Sequence, residues 1–447
     1  MSSPLISFYF QVHQPYRLRD LRVTDIGRED LSYFDSEKNQ AVFRKVAEKC
    51  YLPANRLLLS LLKQYPDFHI SFSLSGVFLD QCEEYGEDVL ASFRALAETG
   101  QVEFLAETYY HSLSYLHSLP EFCEQVRKHA AKIKLLFGQT PQIFRNTELV
   151  YSNELAHVAR ELGFKGILAE GADHILQGRS PNYPYQPPNF ELPGEMQAVT
   201  RKYRLIQKPE NPTSLATGEL RGAGQKTRKP IHVLLKNYRL ADDVAFRFSD
   251  KSWVGFPLNA ETFTSWVTSS GGHCVNLYMD FETFGEHQWE DTGIFEFLKT
   301  LPRLWNDWGI KTATPSEVIS AWLAPHRAEG TGAGGEKDTD VFDAHSFVSW
   351  ADIERDLSAW RGNRIQEAAF AGIYALEAPV KESGDAALLD TWRRLQTSDH
   401  FYYMCTKYWN DGDVHKYFSP YDSPYEAYRR YSHALCDLRS KLEKYPK

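Results

Sequence analysis

Short apolar runs that end in polar tips recur along this chain, and most are followed by a stretch with helical spacing. Ile6–Val12 (ISFYFQV) is rich in β-branched and aromatic residues and stops at His13-Gln14-Pro15, where the proline ring removes a backbone donor and ends the strand. The same pattern predicts strands at Ile70–Leu74, Val102–Leu105, Ile143–Phe144, Gly166–Ala169, Val233–Leu235 and Val275–Asp280. Helical spacing predicts helices near Asn39–Gln64, Glu87–Thr99, Glu121–Phe137 and Asn153–Leu162, the last with Ser152 as cap and Gly163 as stop. Strand, polar tip and helix in repetition describe βα units around a parallel sheet, and in a barrel of such units the catalytic groups come from the C-terminal tips of different strands.

Two stretches break this rhythm. Residues 179–230 carry eight prolines with little periodicity and are expected to form an insertion over the barrel mouth. Residues 329–340, EGTGAGGEKDTD, read as a flexible linker, after which helical spacing returns at Ala351–Glu377, Ala386–Leu395 and Pro424–Tyr445. The expected division is a barrel over 1–325, a linker over 326–340 and a helical part over 341–447.

Composition narrows the class. With 43% hydrophobic and 24% charged residues among 447, the chain belongs with globular proteins. A formal net charge of −9 with dispersed Lys and Arg leaves no basic footprint, which argues against a nucleic-acid partner and for a neutral one. No apolar run approaches the ~18 residues of a membrane span. The opening MSSPLISFYFQVHQP has neither the basic start nor the unbroken apolar run of a secretion signal. Six cysteines without CxxC spacing read as buried thiols, so the expected location is cytoplasmic. Oligomeric state is not legible.

The strand tips offer His13, Glu107, His111, Glu148, Asp173, His174, Arg239, Asp280, Glu282 and His287. A catalytic zinc would want a His-x-Asp or His-x-His pair on the first strand, where the chain has His13-Gln14-Pro15, and no GxSxG elbow accompanies a tip. Paired carboxylates remain, and glycoside cleavage uses one ionised and one protonated. Glu148 follows Arg145, Asn146 and Thr147, polar groups suited to an ionised nucleophile. Asp280 lies between Met279 and Phe281, whose low polarity raises a carboxyl pKa and suits a general acid/base.

These residues sit in motifs that resemble glycoside hydrolase family 57, the α-amylase group. His13-Gln14-Pro15 matches its first conserved region, Gly100-Gln101-Val102-Glu103 with His111 its second, FRNTELVYS with Glu148 its third, MDFETFGEH with Asp280 its fourth, and SWADIERDLSAWRGN with Trp350 and Trp360 its fifth. The resemblance implies an incomplete (β/α)7 barrel followed by a helical domain that helps to close the site. It also implies retaining cleavage of α-1,4-glucosidic bonds in maltooligosaccharides, starch or glycogen. With His13-Gln14-Pro15 in place of a metal-binding pair on the first strand, no metal and no cofactor are expected. Glu148 would be the nucleophile and Asp280 the acid/base; His13, Gln14, His111, Glu282, His287, Trp289, Trp350 and Trp360 would be substrate contacts. A 4-α-glucanotransferase, a branching enzyme and a non-catalytic glucan-binding protein are the alternatives.

Overall fold

The structure, a computed structural model, describes residues 3–29, 31–205, 230–324, 339–407 and 414–445. Its seven strands are β1 (Leu5–Val12), β2 (Ile70–Leu74), β3 (Val102–Phe104), β4 (Ile143–Arg145), β5 (Gly166–Glu170), β6 (His232–Lys236) and β7 (Cys274–Asp280). All pair in parallel, in the orders β3-β2-β1-β7 and β4-β5-β6. The two groups meet at Ala106, whose N–H donates to Ile143 O (3.0 Å) and whose carbonyl accepts from Arg145 N (2.8 Å). At the opposite seam, between β6 and β7, no ladder forms among the described residues. Asn237 N donates to Asn276 O (2.9 Å), and the buried Asn276 Nδ2 donates to Leu235 O (2.8 Å), so a side-chain amide does the work of an absent backbone pair. The result is the incomplete (β/α)7 barrel.

Strands buried on both faces explain the near-continuous apolar runs. Phe8 and Phe10 point outward into a core shared with Leu58, Leu61, Leu298 and Trp305 of the surrounding helices, while Tyr9, Leu168, Leu234 and Tyr278 fill the barrel interior. The expected helix near Asn39–Gln64 is interrupted by a π turn at Ala47–Tyr51, which re-aims Tyr51.

The expected insertion over the mouth is corrected in its described part. Tyr185 pairs antiparallel with Val233 of β6, and Asn182 O accepts from His273 N and Cys274 N, so this segment runs down the wall beside the β6–β7 seam. The helix Gly194–Lys202 packs on the helices of the outer ring. Residues 206–229 and 325–338, which include most of the expected linker, lie outside the described residues.

A second correction concerns the expected helix Ala351–Glu377. Helix begins only at Ser358, because Asp352 (φ 55) and Arg355 (φ 51) take left-handed backbone. From there short helices lead to the long Pro424–Leu442. Their core, with Trp360, Phe370 and Tyr431, also takes in Leu18, Leu21, Leu113 and Val150 from loops at the strand tips. Glu121, fully buried, binds Arg393 (2.7 Å) and Lys381 (2.8 Å) of the helical part.

Candidate active site

At the C-terminal ends of the strands lies a cleft of about 280 Å³, lined by Gln11, His13, His111, Glu148, Lys236, Asp280, Glu282, Trp350 and Asp399 among others. Glu148 follows β4 in a tight turn and adopts φ 58, ψ 26; Leu149 next to it has φ 50. Left-handed backbone at a residue with a side chain costs on the order of 1 kcal/mol and persists only where surroundings over-determine it. Here Leu149 is locked into the barrel core, Asn146 Nδ2 donates to Val150 O (3.0 Å), and Trp350 N donates to Glu148 O (3.3 Å). The turn lifts the Glu148 carboxylate into the cleft, where Trp350 Nε1 donates to Oε2 (2.7 Å) and Oε1 faces His111 Nε2 (3.2 Å) and Ser398 Oγ (3.3 Å). Burial pushes its pKa up, but the hydrogen bond and charge of His111, with Arg145 and Trp350, outweigh burial and hold it below the usual range.

Behind Glu148 a polar chain runs through the barrel interior. His111 Nδ1 meets Glu107 Oε2 (2.8 Å), and Gln11 Nε2 donates to Glu107 Oε1 (3.1 Å). Against the effect of burial, His111 is raised to about 9 by the two carboxylates, and Glu107 is lowered to about 2 by His111, His129 and Arg145. The His13 ring stacks on His111 with centroids 3.9 Å apart and planes at 18°. His13 Nδ1 meets Ser75 Oγ (2.7 Å) and Nε2 meets Asp399 Oδ2 (2.9 Å). Burial and the facing His111 charge lower its pKa. Arg145, fully buried, stands 4.9 Å from the Trp350 ring centroid, and Lys236 lies 5.4 Å from the same ring.

Asp280 ends β7 on the same cleft. Burial, and then the negative charge of Glu148, raise it to about 6. Burial and Asp280 in turn raise Glu282 to about 8, and Tyr51, re-aimed by the π turn, donates to Glu282. Of the three carboxyls Glu148, Asp280 and Glu282, the first is thus biased toward the carboxylate and the other two toward the acid. Pairs pushed apart in this way are what acid–base division of labour needs.

His13, Gln14, His111, Glu282, His287 and Trp350 line the cleft, as do Glu148 and Asp280. His287, whose burial lowers its pKa to about 4, faces Phe418 edge-on at 5.5 Å. Two expected contacts lie elsewhere. Trp289, 58% exposed, donates Nε1 to Glu286 O (3.0 Å) outside the cleft, and Trp360, 1% exposed, is a core residue of the helical part. Sequence reasoning missed Gln11, Lys236, Ser398 and Asp399. Lys236 was legible as the tip of β6; Ser398 and Asp399 open a short helix remote in sequence, with no local signal.

His13, His111 and Asp399 offer ligand atoms within 4.8 Å of one another. Imidazole lone pairs lie in the ring plane, however, and two parallel stacked rings do not converge on one ion. Each ring nitrogen also already faces Ser75, Asp399, Glu107 or Glu148.

The sequence profile described as glycosyl hydrolase family 57 matches residues 7–211 and 219–331. A Methanocaldococcus jannaschii protein provisionally named an alpha-amylase is 38% identical over 446 residues, covering 97% of this chain and 84% of the relative. In fold, the chain is similar to the family 57 branching enzyme of Thermococcus kodakaraensis (TM-score 0.62, 16% identity, 99% of this chain and 91% of that one). It is also similar to the 4-alpha-glucanotransferase of Thermococcus litoralis (TM-score 0.58, 15% identity), covering 90% of this chain and 56% of that one.

Proposed function

The chain belongs to glycosyl hydrolase family 57, and from that premise we propose that it cleaves α-1,4-glucosidic bonds in maltooligosaccharides, starch or glycogen with retention of configuration. Glu148 attacks the anomeric carbon, the glycosidic bond breaks, and Asp280 gives its proton to the departing oxygen. Water then attacks the glycosyl-enzyme, passes a proton to Asp280 and returns Glu148 as the carboxylate. The observation that carries this reading is two carboxyls on one cleft in opposed surroundings: Glu148 is held by Trp350, His111 and Ser398, whereas Asp280, at the C-terminal end of β7, is pushed toward the acid by burial and by the charge of Glu148.

The helical part contributes to the proposed site, since Trp350 and Ser398 grip Glu148 and Asp399 holds His13. A barrel over 1–325 and a helical unit over 341–447 are therefore proposed to act as one enzyme. No helix among the described residues is long and apolar enough to cross a membrane. Five of the six cysteines are buried and none is in a disulfide, which supports a reducing, cytoplasmic setting.

A glucanotransferase or branching activity is the second reading, prompted by the names of the two structural relatives; in this chain it would resolve the same proposed glycosyl-enzyme with a sugar hydroxyl in place of water. Incubation with maltoheptaose and chromatography decides. Shorter sugars alone support hydrolysis, longer and shorter together support transfer, and no change refutes catalysis. Glu148→Gln should abolish activity on every donor, whereas Asp280→Asn should still consume α-glucosyl fluoride, whose leaving group needs no proton. An Asp280→Asn protein with near-normal activity on maltoheptaose would refute the assignment.

A further inference from the structure

We propose that His111 is a positioning residue for the second half of the reaction: its imidazolium, clamped between Glu107 and Glu148, makes Glu148 a competent leaving group when the glycosyl-enzyme is hydrolysed. The proposal rests on Glu148 being the nucleophile. It revises the expectation that His111 contacts sugar, because the residue is 2% exposed and both ring nitrogens are engaged.

Between two carboxylates the geometry favours a doubly protonated ring. Nδ1 lies 2.8 Å from Glu107 Oε2 and Nε2 lies 3.2 Å from Glu148 Oε1. With Glu107 and Glu148 both ionised, either neutral tautomer would aim a lone pair at a carboxylate oxygen, and the cation satisfies both neighbours. The ring's direction is fixed from the backbone. His111 has φ 50, its N–H donates to Thr108 O (3.0 Å), and its carbonyl accepts from Ser398 N (2.9 Å). Glu107 is fully buried and its second oxygen is taken by Gln11, so its charge is directed at His111. Across the ring face stands His13, whose nitrogens turn to Ser75 and Asp399. The charged or titratable groups around His111 are thus Glu107, Glu148 and His13, with Arg145, His129, Asp280 and Asp399 behind them.

A cation beside the nucleophile acts oppositely on the two steps. In glycosylation a Glu148 oxygen bonds to the anomeric carbon, the bond to the leaving oxygen breaks, and that oxygen takes the proton of Asp280. Glu148 gives up its charge, so His111 loses a partner and does not favour this step. In hydrolysis the oxygen of water bonds to the anomeric carbon, its proton goes to Asp280, and the ester bond breaks with its electron pair returning to Glu148. Charge reappears 3.2 Å from His111, where a fixed donor stabilises it.

His111→Asn tests this, because asparagine tolerates left-handed backbone and carries no charge. With α-glucosyl fluoride, the variant should release a burst of one fluoride per enzyme and then turn over on the order of 10²-fold more slowly than wild type. Glycosyl-enzyme on Glu148 should accumulate in the mass spectrum. The acid limb of kcat/KM on maltoheptaose should move up by about one pH unit, since an opposite charge at this range lowers a carboxyl by roughly 1–3 units. Glu107→Gln, which removes the carboxylate that keeps His111 charged, should give the same burst. Turnover of His111→Asn without burst and with an unmoved acid limb overturns the proposal. So does equal loss of formation and release in a protein whose thermal transition is unchanged. A wild-type protein that forms no glycosyl-enzyme on Glu148 instead overturns the assignment on which the proposal rests.

Discussion

Replacing Asp280 by asparagine should make the protein more stable at neutral pH even as it loses activity on oligosaccharides. Asp280 is raised from 3.8 to about 6 by burial and by Glu148, so the folded state favours the protonated acid. At ~1.36 kcal/mol per pH unit this difference is worth roughly 3 kcal/mol. Because the carboxyl opens on a solvent-accessible cleft, about 1–3 kcal/mol is the range to expect. The sign follows from linkage. A carboxyl whose folded pKa is raised costs nothing well below its ordinary value of 3.8, where folded and unfolded chains both carry the proton. The cost builds as pH rises through 4 to 6 and is constant above that window. Asparagine has nearly the same shape and does not titrate. Denaturant unfolding of wild type and Asp280→Asn at about pH 3, 5, 6 and 7 should therefore give coincident curves at the lowest pH and a variant about 1–3 kcal/mol more stable at the highest. Glu148→Gln should go the other way at pH 7, because that carboxylate is held ionised and its loss leaves His111 without one of its two anions. A stability gap for Asp280→Asn that does not change with pH, or a wild type that is the more stable at pH 7, would refute the argument.

Two further outcomes follow from where side chains sit. Trp360→Ala should destabilise the protein by about 3–5 kcal/mol, as truncation of a buried indole does, while Trp289→Ala should leave both stability and activity nearly unchanged; denaturant midpoints and kcat/KM on maltoheptaose check both. Dialysis against a strong chelator should leave activity intact, since the nitrogens of His13 and His111 already face Ser75, Asp399, Glu107 and Glu148; activity lost and then restored by zinc would contradict this.

The strands were legible because each is buried on both faces, which selects β-branched and aromatic runs, and each ends where the chain turns polar. β2 spans Ile70–Leu74 as its pattern indicated, and the others begin and end within a residue or two of expectation. Glu148 and Asp280 stood out because a strand tip shows in sequence. What completes their surroundings did not. Asp399 meets His13 across 386 positions, and no local pattern distinguishes that aspartate from an ordinary helix start. Tryptophan was equally opaque: Trp350 and Trp360 lie ten residues apart in one motif, yet the left-handed residues Asp352 and Arg355 break the expected helix between them and send one indole to the cleft, the other to the core. Proline richness over 179–230 showed where regular pairing would fail, but not that Asn182 and Tyr185 would line the wall.

The grip on Glu148 also bears on when the molecule becomes an enzyme. All seven strands precede residue 281, whereas Trp350 and Ser398, which orient the Glu148 carboxylate, come later in the chain. Domains fold as they leave the ribosome, N-terminal part first. During synthesis the barrel therefore holds its acidic residues before it holds the side chains that orient Glu148. On the proposed assignment of Glu148 as nucleophile, turnover would wait on the docking of Trp350 and Ser398 against it.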